Sequence, residues 1–158
     1  MEELIYRVGV TGHRTLLKKR AEIMAKTLDF LTEIQAGHEK LEANTGMALG
    51  FDQVVCDACI ELGIPYVAVV PCDGQDALWN PQQRDRYAIL MSRASRVVQV
   101  TPGPYAAWKM FARNGWIVNN SDEMIVHWDG YYQGGTGGCM KLVRSKRLPY
   151  KNTITPVR

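Results

Sequence analysis

A chain of 158 residues with 46% hydrophobic and 22% charged residues has the size and make-up of one soluble globular domain, which excludes disordered and fibrous classes. No uncharged apolar stretch approaches the ~20 residues a bilayer helix needs, and Met1-Glu2-Glu3 lacks the basic start of a signal peptide. A cytosolic protein with reduced thiols at Cys56, Cys59, Cys72 and Cys139 is therefore expected. The net charge of +3 is uneven: Lys141, Arg144, Lys146, Arg147, Lys151 and Arg158 stand with no acid in residues 141–158, leaving 13 bases against 16 acids elsewhere. That distribution excludes a uniformly basic nucleic-acid binder and reads as a solvated last helix.

In chain order, Ile5–Val10 is a short β-rich run ending at Thr11-Gly12, and Ala21, Met24, Ala25, Leu28 and Leu31 then recur at helical spacing. Thr45–Gly50 is a weaker second strand. Phe51, Val54, Val55, Ala58, Cys59 and Leu62 form the apolar stripe of a second helix that Gly63 ends. Ile64–Val70 is apolar almost throughout, as a parallel strand buried on both faces should be. A third helix over about Pro81–Ala94 begins on proline, whose missing N–H costs nothing there. Arg96–Thr101 gives a fourth strand, Ala106–Asn119 a fourth helix and Met124–Trp128 a fifth strand. After a glycine-rich loop, residues from about Thr136 to Arg147 give the last helix and Tyr150–Thr155 a final strand. This alternation predicts one domain over residues 1–158, an α/β doubly wound, mostly parallel sheet with helices on both faces.

Ligands of such sheets sit beyond the carboxyl ends of the strands, where strand order reverses. The unusual residues of this chain fall there: Thr11-Gly12-His13-Arg14, Gly50-Phe51-Asp52-Gln53, Pro71-Cys72-Asp73-Gly74-Gln75 with Trp79, and Asp129-Gly130 before Gly134-Gly135-Thr136-Gly137-Gly138. Glycines at a helix start let backbone N–H groups close on a phosphate, although the same cluster also suits a plain turn. Arg14 and Arg113 are candidate phosphate partners, with position favouring Arg14. His13 reads either as a base or donor to a ligand or as a residue holding its own loop. Asp52 reads as a helix-start carboxylate or a ligand group, and Asp129 as an acceptor for ribose hydroxyls. Trp79, Tyr105 and Trp108 either stack on a base or pack. Cys56-Asp57-Ala58-Cys59 has C-x-x-C spacing, but it lies in a helix with no second pair, so packing outweighs a redox or metal role.

The motifs Thr11-Gly12-His13-Arg14, Gly50-Phe51-Asp52, Pro71-Cys72-x-Gly-Gln75, Tyr105-x-x-Trp108-Lys109-Met110-x-x-Arg113-Asn114, Asp122, Trp128-Asp129-Gly130 and Gly134-Gly135-Thr136 occur in order. On them the sequence resembles the YpsA-like branch of the SLOG superfamily, as many phage-encoded proteins do. The resemblance implies a Rossmann-like fold, self-association, and a nucleotide-derived small molecule such as an ADP-ribose relative or cyclic nucleotide. The ligand set it implies is Gly12, His13, Arg14, Gly50, Asp52, Gln75, Trp79, Lys109, Arg113, Asn114, Asp129, Gly134, Gly135 and Thr136. It implies no cofactor, metal or membrane, and nucleic acid is not the expected partner.

The LOG phosphoribohydrolases of the same superfamily carry P-G-G-x-G-T-x-x-E and an upstream arginine, to which Arg113 is similar. Here Cys139 stands three residues after Thr136 and the glutamate is missing. A thiol cannot stabilise an oxocarbenium-like transition state as a carboxylate does. Three functions remain in view. The first is a nucleotide-signal binder, acting as a sensor or as a phage sponge against host defence signalling. The second is an N-glycosidase in which Asp52 or Asp129 replaces the glutamate, and the third a non-catalytic scaffold.

Overall fold

The computed structural model describes residues 4–156; Met1-Glu2-Glu3 and Arg158, used in the charge and targeting expectations, lie outside the described residues. Six strands and five helices alternate as β1 (Tyr6–Gly12), α1 (Arg20–Ala36), β2 (Leu41–Thr45), α2 (Phe51–Leu62), β3 (Tyr66–Val70), α3 (Pro81–Arg93), β4 (Arg96–Gln99), α4 (Ala107–Asn119), β5 (Glu123–His127), α5 (Gly134–Ser145) and β6 (Tyr150–Asn152). All pairings are parallel, and the strand order is β4-β3-β2-β1-β5-β6. The chain leaves β1 toward β2, β3 and β4 and returns on its other side at β5. The reversal between β1 and β5 opens a crevice at their carboxyl ends.

Alternation along the buried strands feeds two cores. Tyr66, Ala68 and Val70 of β3 pack with Val8, Val10, Val54, Val55 and Leu90 on one face, while Val67 and Val69 join Ile117, Met124, Val126, Met140 and Val143 on the other. Helices α1 and α2 pack together, as do α4 and α5, so the predicted layering with helices on both faces is present. Asn80 starts α3 with a capping box, its side chain accepting from Gln83 N at 2.8 Å while Gln83 Oε1 accepts from Asn80 N at 3.1 Å.

The second strand is a correction: it spans Leu41–Thr45, not Thr45–Gly50. Its polar residues hid it, and each has a partner. Glu42 accepts from Arg7 at 2.9 Å and Arg96 at 3.3 Å, and Asn44 Nδ2 donates to Asn120 O at 3.1 Å and Ser121 Oγ at 3.2 Å. Residues 46–50 instead form the β2–α2 loop, where Met47 and Gly50 take positive φ values of 60° and 84°. A buried methionine in the left-handed region stores strain beside the crevice. The last helix also begins earlier than the spacing suggested, at Gly134 rather than Thr136, which puts the glycines in its first turn. The edge strands β4 and β6 stop short of their predicted ends at Thr101 and Thr155.

Candidate functional site

The crevice between β1 and β5 is a cleft of about 450 Å³. It brings together Gly12, His13, Arg14, Asp52, Arg113, Asn114, Asp129, Gly134, Gly135 and Thr136 of the predicted set, and adds Thr15, Met110 and Gln133 among others. Thr15 and Gln133 carry no motif signal, and Met110, though part of the motif around Arg113, was not among the expected ligand residues. Helix α5 opens on this cleft: no side chain caps it, its first turn contains no acid, and Gly134 has φ +77°. A Cβ on Gly135 would meet nothing within 4 Å, so the first turn is open on that side.

Four predicted residues lie elsewhere. Gln75 Nε2 donates to Gly46 O at 3.0 Å, and its Oε1 accepts from Tyr87 Oη at 3.2 Å. Trp79 packs edge-on against Tyr87, with ring centroids 5.2 Å apart. Lys109 is buried and donates to Pro102 O and Pro104 O, both at 2.6 Å, fastening the loop before α4. Gly50 lines a neighbouring cleft. Tyr105 and Trp108 are 66% and 61% exposed and do not line the main cleft.

Two loops are locked across the crevice. His13 N donates to His127 O at 3.2 Å, and His13 O accepts from Phe51 N at 3.2 Å, tying β1 to β5 and α2. The His13 ring then accepts the Asp129 backbone N–H at Nε2, 3.2 Å, which puts its proton on Nδ1. Asp129 Oδ1 turns back to accept Tyr131 N at 2.9 Å. His127, which the sequence did not single out, is fully buried; its Nε2 accepts from Leu17 N at 3.1 Å, and Nδ1 contacts Thr153 Oγ1 at 2.8 Å. That ring pins the β1–α1 loop from below. Burial, then the neighbouring His13, pushes its pKa down to about 4.

Arg113 is only 4% exposed, more deeply set than a surface phosphate ligand. Its Nη1 donates to Gly46 O at 2.6 Å and its Nε to Asn114 Oδ1 at 2.9 Å. Burial pushes its pKa down, and the charge of Asp52 opposes that shift. Asp52 is likewise buried and accepts Ala48 N at 3.1 Å. Burial raises its carboxyl to about 6 against the lowering pull of Arg113, the Ala48 N–H and Arg14. The cleft thus holds a carboxylate poised near neutrality beside a buried guanidinium.

These two shifts act in opposite directions on stability. His127 binds its proton more weakly folded than unfolded, so its contribution is full above about pH 6.5 and is lost as pH falls toward 4. Asp52 binds its proton more tightly folded, so its contribution grows as pH falls through 6 and is lost as pH rises through it. Each is worth roughly 3 kcal/mol across its window. His127→Gln is therefore expected to gain, and Asp52→Asn to lose, that much relative to the parent between pH 6.5 and 4. Urea midpoints taken across this range check both signs; parallel profiles for all three proteins would contradict the assignment.

The four free cysteines are all buried. Burial pushes Cys59 to about 12 and Cys56 well above the ordinary thiol value, which disfavours a thiolate. Cys139 rises to about 11, again by burial, and does not line the cleft. Among the described residues no cluster of three metal-ligating side chains occurs, and no helix is long and apolar enough to cross a membrane.

The chain is similar to the SPbeta prophage-derived protein YoqJ of Bacillus subtilis, with 24% identity covering 87% of this chain and 86% of YoqJ. It also resembles a UPF0398 protein of Lysinibacillus sphaericus, 25% identical over 45% of this chain and 40% of that protein. The fold matches DNA processing protein A (DprA) of Streptococcus pneumoniae with TM-score 0.67 and 19% identity, covering 94% of this chain but half (50%) of that one. DprA of Helicobacter pylori, described by its single-stranded DNA binding mode, follows at TM-score 0.66 and 15% identity, covering 93% of this chain and 64% of that one. The model of the YpsA SLOG family matches residues 17–156, spanning every strand after β1, and the chain belongs to that family.

Proposed function

We propose that the protein binds a nucleotide or nucleotide-derived signal, of the ADP-ribose or cyclic-nucleotide kind, in the β1/β5 cleft with a phosphate at the first turn of α5. The uncapped glycine start of α5 carries this reading. Its first-turn N–H groups lack intrahelical acceptors and sit at the positive end of the helix dipole. Arg14 and Arg113 add positive charge to the same cleft, while Asp129 and Asn114 offer partners for ribose hydroxyls or a base. The volume of about 450 Å³ falls within the few hundred Å³ usual for small-ligand sites. Similarity to a prophage-derived chain supports a sponge that removes a host signal over a sensor.

One observation favours a second reading, N-glycosidic hydrolysis: Asp52 holds its proton up to about pH 6 inside the cleft and so has the pKa of an acid–base group. Against it stands Cys139, buried and largely protonated where the LOG-type motif has glutamate. Without a carboxylate placed by α5 to stabilise charge on the sugar, several kcal/mol of barrier go unmet.

Incubation with AMP, NAD and ADP-ribose, followed by mass spectrometry of the protein-bound and free fractions, separates the two readings. Ligand recovered intact with the protein is expected. Multiple-turnover release of free base that disappears in Asp52→Asn or Asp129→Asn would establish the hydrolase, and no retention of any nucleotide would exclude this cleft as a nucleotide site.

A further inference from the structure

A second cleft of about 540 Å³ adjoins the first across the β1–α1 loop, lined by Arg14, Arg20, Arg86, Gly50, Gln53 and Asp57 among others. Arg14 lines both clefts. The wall between them is the backbone of residues 13 and 14 seated on the start of α2: a Cβ on Gly50 would lie 2.5 Å from Arg14 C and 2.6 Å from His13 O.

The charge of this second cleft is unbalanced. Three guanidinium groups from the β1–α1 loop, α1 and α3 face one carboxylate, Asp57 of α2, whose two oxygens are taken separately by Arg20 and Arg86. Among the described residues Arg14 has no hydrogen bond or ion pair, and both Asp57 partners stay about half exposed, at 53% and 44% of their side chains. Gln53 adds a buried amide nitrogen with no acceptor among the described residues. A buried donor without an acceptor is uncommon, and here it lies beside surplus cationic charge. Together these groups call for an anion with several acceptor oxygens, which guanidinium forks bind in bidentate fashion.

We propose that the arginine cleft is a second anion subsite for the same ligand, which therefore carries two separated phosphate groups. One sits at the α5 first turn, the other reaches over the loop to Arg20, Arg86 and Gln53, and Arg14 stands between them. The inference rests on the nucleotide reading of the main cleft and narrows it to bis-phosphorylated or dinucleotide ligands. Asp57 holds the two distal arginines in place and competes with the ligand for them.

The test is calorimetric titration with AMP and with adenosine 3′,5′-bisphosphate on the parent, Arg20→Gln/Arg86→Gln and Asp57→Asn, with thermal midpoints recorded for each. The parent is expected to bind the bisphosphate at least tenfold more tightly than AMP. In Arg20→Gln/Arg86→Gln that preference falls to near unity while AMP affinity is kept, and in Asp57→Asn it rises. Arg14→Ala weakens both ligands. AMP binding with no preference for the bisphosphate, or a preference that survives the double substitution, overturns the second subsite alone. If neither nucleotide binds the parent, the reading of the main cleft falls and this one with it.

Discussion

Gly50→Ala is expected to lower the unfolding free energy by roughly 2–6 kcal/mol, combining the cost of a non-glycine residue in the left-handed region with that of overpacking. At φ +84° the backbone is already unsuited to a side chain, and the new methyl would be driven into the carbonyls of His13 and Arg14. Neither obstacle is the flexible end of a side chain. The His13 carbonyl is also the acceptor for Phe51 N, at 3.2 Å, so retreat of the loop breaks the contact that starts α2 beside the cleft. Gly135→Ala provides the contrast: its Cβ meets nothing within 4 Å and its φ lies outside the left-handed region. Stability there should hold or rise by a few tenths of a kcal/mol, since the unfolded chain loses freedom. Urea denaturation of both variants checks the pair, and a Gly50→Ala protein within about 0.5 kcal/mol of the parent would show that the loop yields without strain.

Arg113→Met should cost about 1–3 kcal/mol, the penalty for leaving a buried acceptor without its charged donor. The substitution fills similar volume but leaves Gly46 O without its 2.6 Å donor and Asp52 without the strongest influence holding its pKa down. With that influence gone, the carboxyl of Asp52 rises above its value of about 6 and is largely protonated at neutral pH. Asp52→Asn in the same protein puts a neutral amide there that no longer responds to the guanidinium, so the double variant should lose less than the sum of the single losses. A double-mutant cycle by denaturant unfolding measures this coupling. Strict additivity would mean that the two groups, though both buried, act independently.

The layered sheet was legible because its strands and helices carry clear periods: β3 reads as a continuous apolar run, β5 has the apolar centre Met124–Val126, and α2 shows its stripe from Phe51 to Leu62. Strand β2 was not legible, because Glu42 and Asn44 break the apolar pattern and their partners, Arg7, Arg96, Asn120 and Ser121, are distant in sequence. Much of the cleft was legible from strand-end positions alone, since the topology gathers those loops on one rim. What failed was depth. Lys109 and Gln75 carry polar groups in motif-like surroundings, yet Lys109 spends its hydrogen bonds on backbone carbonyls of a neighbouring loop and Gln75 spends its own on Gly46 O and the Tyr87 hydroxyl. Arg113 reads in sequence as a weaker candidate than Arg14, and the fold instead buries it at the floor of the β2–α2 loop. His127 left no signal, because a histidine at the end of a strand looks alike whether it meets solvent or anchors a loop.

The central claim is that a ligand phosphate sits on the first turn of α5, and Gly135→Asp tests it most directly. The position is open and free of backbone strain, so a carboxylate enters without disturbing the fold, yet it occupies the helix start where the phosphate should lie. Titration of ADP-ribose into the parent and into Gly135→Asp, with matched thermal midpoints, is expected to show at least a tenfold loss of affinity in the variant, about 1.4 kcal/mol. Equal affinity in two equally stable proteins would place the phosphate elsewhere and reduce the glycine cluster to a turn.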